Sequence, residues 1–258
     1  MTELWVVLAV VVVAGAVTGV GAIPVFFGAK ISHRTYDGAL GLAAGIMVGA
    51  SVFGLIIPGL EEGTYLPVVV GFLLGGAVIL VGNRVIPHVH AHYRGLQPER
   101  PGSSDLASSD SPLRRALLIG GAIVLHNAPE GLAIGIAFAS GLEEVAYLLA
   151  IVIAVQNIPD GFAFAVPFGE TGISNGRLLL YTTLSGLIPQ VAAALFGYGL
   201  VAIATGLFPI AAGFAAGAML GVVFREMVPS SHGHGFADIA TLTFLIGFVV
   251  LLVLEQAL

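Results

Sequence analysis

Cysteine is absent from the 258 residues, and charge is scarce at 9%. The first absence excludes a disulfide framework and any thiolate metal site. A transition metal would have to be held by imidazole, carboxylate or amide groups. The second excludes an ordinary soluble globule, which carries roughly 25% charged residues. With 57% hydrophobic residues and a mean hydropathy of +1.02, the chain has too few charges to coat a surface in water. Lipid is the remaining solvent. Basic residues are also missing ahead of the first apolar stretch, 4–27, which only Glu3 precedes as a charge. That stretch is too long for the core of a secretory leader and reads as a first spanning helix. With nine Lys and Arg spread along a net charge of −6, no nucleic-acid partner is expected.

What is present is apolar runs and glycine. A spanning helix needs about 20 mostly apolar residues. Eight such runs occur, at 4–29, 37–60, 65–86, 113–139, 145–168, 178–203, 207–229 and 236–254. Pro67 falls in the first turn of the third run, where proline is tolerated. The 36 glycines suit close helix contact in a membrane. The expected fold is all-α and polytopic, a single transmembrane domain over 1–258.

The charges test this parse. The first, third, fifth and seventh connections, with their helix ends, hold Lys30, Arg34, Arg84, Arg94, Arg100, Arg114, Arg115, Arg177 and Arg225, which is every Lys and Arg in the chain. The opposite side holds Glu3, Glu61, Glu62, Glu143, Glu144 and Glu255 and no base. A wrong span count would scramble this separation. Bases accumulate in cytoplasmic loops, so both termini are expected outside. The longest connection, 88–112, is then inside; its second half is Pro- and Ser-rich and reads as disordered.

Two runs carry polar residues at mid-helix. The fourth contains Leu125-His126-Asn127-Ala128-Pro129-Glu130-Gly131, and the fifth Val155-Gln156-Asn157-Ile158-Pro159-Asp160-Gly161. They share a polar-Asn-x-Pro-acid-Gly pattern, and helical i,i+4 spacing puts His126 with Glu130, and Gln156 with Asp160, on one face of each helix. Pro129 and Pro159 each remove an N–H, so the carbonyls of Leu125 and Val155 lose their usual partners. Two kinked helices face to face would gather an imidazole, two carboxylates and amide oxygens at mid-depth. Such nitrogen and oxygen ligands suit Zn2+ and similar divalent metals. A central acid costs about 2.5–3.5 kcal/mol or more in lipid, which makes a functional role the default.

At these residues the chain resembles the ZIP (Zrt/Irt-like) metal transporter family. His126-Asn-Ala-Pro-Glu-Gly is the most specific signature, and Gln156-Asn-Ile-Pro-Asp-Gly matches its companion. Ala44–Phe53 and Phe214–Pro229 are similar to the family's second and seventh helices, so the resemblance covers nearly the whole chain. It implies gradient-driven or passive import of Zn2+, with Fe2+, Mn2+, Co2+ or Cd2+ as alternatives, at the plasma membrane. It also implies a homodimer and an alternating-access movement of one helix bundle against another. The implied primary metal site is His126, Glu130, Gln156 and Asp160. An adjacent second site falls on Asn127, Asn157 and Asp160, with a Glu from the sixth span. Here the chain departs: Asn157 stands where relatives often carry an acid, and Ser185-Gly-Leu-Ile-Pro-Gln190 carries none. One full site is expected, with the second weak or absent.

Other residues admit two readings. His88, His90 and His92 are either a metal-holding loop or a solvated loop end. His232, His234 and Glu226 are candidates for an exit path, or local contacts. Met47 is a path-lining residue or packing, and the outside acids are a cation funnel or solvation. Two other functions compete with this one. An intramembrane metalloprotease needs His-Glu-x-x-His, but Asn127 follows His126. A proton or monovalent-cation pathway could use Glu130 and Asp160 alone, but leaves the imidazole and amides unexplained.

Overall fold

The structure is a computed structural model describing residues 2–27, 32–85, 112–169 and 173–257. Eight long helices follow in order: α1 Leu4–Phe26, α2 His33–Glu61, α3 Tyr65–Val85, α4 Pro112–Ala139, α5 Glu143–Gly169, α6 Asn175–Ile203, α7 Thr205–Ser231 and α8 Ala237–Ala257. All but α4 carry a described window apolar enough to cross a membrane, and α4 is 28 residues long. No strand occurs among the described residues. In lipid every backbone polar group needs an internal partner, which helices supply within each segment. The bounds match the hydropathy runs to within a few residues. The loop expected to be disordered falls outside the described residues, apart from Pro112, which begins α4.

The helices pair through backbones that touch. A Cβ on Gly45 would come 2.0 Å from the Phe244 carbonyl, joining α2 to α8; one on Gly75 would come 2.0 Å from that of Phe214, joining α3 to α7. Gly131 and Gly135 do the same against Gln190 and Ala194, joining α4 to α6. Gly161 of α5 lies against the Thr18 carbonyl of α1. Small residues permit this approach, and dispersion then holds helices that lipid itself does not drive together. In α2 and α7, 67% of the apolar window is buried, against 22% in α3 and 17% in α8, so α2 and α7 are central and α3 and α8 peripheral. α1, α4, α5 and α6 form one group, and α2, α3, α7 and α8 another. The groups meet where α2 packs on α5 and α7 on α4.

Two links tie helix ends that the alternating parse puts on one side. Thr2 Oγ1 donates to Glu143 at 2.7 Å, and the Tyr198 hydroxyl donates to the Thr2 carbonyl at 2.8 Å, gathering the start of α1, the start of α5 and the end of α6. His234, between α7 and α8, meets Asp37 near the start of α2.

Some local features exceed the hydropathy reading. α1 tightens to a 3-10 helix over Val17–Ala22, the stretch laid against α5, where a Cβ on Gly21 would come 2.2 Å from the Phe162 nitrogen. α2 and α7 each contain a π-helical turn, Val52–Ile56 and Val223–Met227, with Pro58 and Pro229 two residues past their ends. Widening the turn ahead of a proline accommodates its ring and its missing donor. By contrast α4 and α5 continue as α-helix through Pro129 and Pro159.

Candidate metal site

The internal repeat brings α4 and α5 face to face. His126 Nε2 lies 3.2 Å from Asp160 Oδ2, and Gln156 Nε2 donates to Glu130 Oε1. The leading polar residue of each motif thus meets the acid of the other. One ligand atom each from His126, Glu130 and Asp160 lies within 4.8 Å of the other two. Tetrahedral Zn2+ with bonds of 2.0–2.2 Å sets its ligands about 3.4 Å apart. The three groups therefore need only a small inward adjustment to share one ion.

Burial sharpens the case. Glu130 and Gln156 are fully buried, and His126 and Asp160 are 15% and 9% exposed at their side chains. Glu130 Oε2 and Gln156 Oε1 have no hydrogen-bond partner. Two orphaned acceptors in a buried site are costly unless something positive meets them. A divalent cation is such a group, and the donors present are its ordinary hard and borderline ligands. Glu226 of α7 is partly buried.

The neighbouring position is arranged differently. Asn157 Nδ2 donates to the Ala14 carbonyl at 2.9 Å and to Gln190 Oε1 at 3.1 Å. Asn157 and Gln190 are both fully buried. Their amides fasten α5 to α1 and α6 rather than presenting a carboxylate. Asn127 is buried at 4% exposure on α4. The Gln190 amide oxygen faces Asn157.

The remaining candidates are dispersed. His232 Nδ1 lies 3.0 Å from the Val228 carbonyl and from Ser231 Oγ, and its Nε2 lies 3.3 Å from Thr241 Oγ1, so both nitrogens are engaged at the end of α7. His234 pairs with Asp37 at 2.8 Å. Met47 is fully buried in the main apolar cluster. His88, His90 and His92 lie outside the described residues. Sequence reasoning missed Asp37; its i,i+4 spacing to His33 was the available signal.

Fold and site together define a multi-pass membrane protein with a buried cluster of nitrogen and oxygen groups suited to a divalent cation. A model of the family described as "ZIP Zinc transporter" matches residues 85–255. The chain is 36% identical to zinc transporter GufA of Myxococcus xanthus, over 95% of this chain and 96% of that protein. It is 36% identical to zinc transporter ZIPB of Bordetella bronchiseptica, over 94% and 78% of the two. It is also 30% identical to human zinc transporter ZIP11, over 93% and 94%. The chain belongs to the ZIP family and is a divalent-metal transporter, not an enzyme.

Proposed function

We propose that the chain carries Zn2+ across the plasma membrane into the cytoplasm, through His126, Glu130, Gln156 and Asp160, by alternating access. The observation that carries this is the buried cluster whose ligand atoms fall within 4.8 Å. The names of the relatives support zinc, with Fe2+, Mn2+, Co2+ and Cd2+ as competing cargoes. The orientation of the chain in the membrane follows from charge. Every base lies at one end of the spans and the acids Glu61, Glu62, Glu143 and Glu144 at the other, so both termini are outside.

The site lies between α4 and α5, in the group that also holds α1 and α6. Glu226 belongs to α7, in the other group. Movement of one group against the other would carry the ligands past Glu226, which with His232 and His234 marks an exit path. Asn127 and Asn157 flank the primary ligands, and the amide bonds of Asn157 favour one occupied position over two. The working unit in this reading is a homodimer, and His88, His90 and His92 are an inside loop that captures released metal.

Proteoliposomes reconstituted with purified protein test the reading. Zn2+ uptake should be metal-dependent and lost in His126→Ala and Glu130→Ala, with both variants still monodisperse. Uptake unaffected by both changes would sink it.

A further inference from the structure

We propose a second divalent-metal site on the basic face of the bundle, with His33 and His234 as ligands and Asp37 as the residue that positions them. It rests on the transport reading only for its role as a way-station.

Asp37 is fully buried, and its Oδ1 lies 2.8 Å from His234 Nδ1. Its other oxygen, Oδ2, is buried with no hydrogen-bond partner. A buried carboxylate oxygen with no partner is costly unless something positive or a donor meets it. The pairing also fixes His234. With Nδ1 committed to a carboxylate, Nε2 is the nitrogen left to bind a metal, the arrangement in which a carboxylate orients a metal-bound histidine. His234 is 13% exposed at its side chain, so that nitrogen is not sealed in.

His33 supplies the second imidazole. It precedes Asp37 by one helical turn on α2 and stacks on His234, with ring centroids 4.5 Å apart and planes 15° from parallel. Stacked rings do not share an ion, but His33 is exposed and can turn about its own side-chain bonds to bring a nitrogen beside His234 Nε2. Two imidazoles with water completing the shell would hold Zn2+ more loosely than the intramembrane cluster. A release site needs such looseness.

The surroundings connect the two sites. Tyr36 sets its ring edge-on to His234 at 5.7 Å and lies 6.4 Å from Phe162. Phe162 follows Asp160 by two residues on α5, and Tyr36, Leu40, Phe162 and Ala163 form one apolar cluster.

The test is equilibrium Zn2+ binding to the purified full chain with His88, His90 and His92 replaced by Ala throughout, so that the inside loop adds no phase. The parent protein should bind in a tight phase and a weaker one. A combined His126→Ala, Glu130→Ala, Asp160→Asn variant should lose the tight phase and keep the weak one. Adding His33→Ala or His234→Ala should abolish the weak phase, and adding Asp37→Asn should weaken it by about tenfold to a hundredfold. His33 is exposed, so its removal takes little from the buried packing. A weak phase missing from the combined variant, or indifferent to both histidine changes, would overturn the proposal. So would Asp37→Asn lowering thermal stability with the weak phase intact, since Asp37 would then be only a structural tie. A tight phase surviving in the combined variant would refute the transport site and leave this one standing.

Discussion

Adding one methyl group at Gly161 should damage both the fold and the metal site. A Cβ there would stand 1.9 Å from the Thr18 carbonyl oxygen and 2.8 Å from its carbon. Ordinary contact begins near 3.4 Å, so α1 and α5 would have to separate by about 1.5 Å. The obstacle is backbone, which cannot swing aside as a side chain would. Overpacking of this kind costs about 1–3 kcal/mol. Helix propensity opposes it by about 1 kcal/mol, because alanine is the better helix former. Gly199 on α6 is the control, with nothing within 4 Å of its Cβ position. Gly199→Ala should keep the propensity gain and lose nothing. The two variants should therefore differ by about 1–3 kcal/mol in thermal unfolding followed by circular dichroism. Metal binding should separate them too. Gly161 adjoins Asp160, and metal–ligand distances tolerate about 0.2 Å, far less than the required opening. Gly161→Ala should bind and carry Zn2+ poorly while Gly199→Ala behaves as wild type. Equal stability and equal uptake in both would refute the close-contact account of how α1 holds α5.

Other expectations follow from the same geometry. Asn157→Ala removes two interhelical hydrogen bonds, each worth about 0.6–1.7 kcal/mol in a membrane, and should lower thermal stability while leaving binding at close to one tight zinc per chain. Two equally tight intramembrane zinc ions in wild type, found by titration, would contradict the reading of Asn157 and Gln190. A proton gradient imposed without metal should drive no current through reconstituted wild type; a current lost in Glu130→Gln would favour a proton pathway. Because cysteine is absent, single replacements report sidedness cleanly. An impermeant thiol reagent should label Thr64→Cys in intact cells and Gly233→Cys only after lysis; the reverse would invert the topology.

The spans were legible because hydropathy and charge segregation act over 20-residue windows and need no tertiary information. The pairing of α4 with α5 was legible from a short repeat whose polar residues lipid would not tolerate alone. What stayed hidden depends on the approach of particular backbones. The 3-10 stretch of α1 lies where Gly21 meets Phe162 and Ile158, and composition does not state that approach. The π turns precede Pro58 and Pro229, whereas Pro129 and Pro159 lie within continuous α-helix, so proline alone did not foretell them. Asn157 shows the limit most clearly. Its residue type and place in the repeat mark it as polar and central, but only the fold turns its amide toward Ala14 and Gln190. Asp37 opened the second apolar run as an ordinary polar boundary, and the fold buried it against a histidine 197 residues away.

X-ray absorption at the zinc edge on protein loaded with one equivalent of Zn2+ tests the central claim most directly. The spectrum should show only nitrogen and oxygen neighbours at about 2.0–2.2 Å, with the outer scattering of a single imidazole. In His126→Ala the affinity should fall, and the single-imidazole signature should give way to none or to that of the two imidazoles of the weaker His33–His234 site. An unchanged imidazole signature in His126→Ala would mean that the tight zinc is held elsewhere and that the account of the site is wrong.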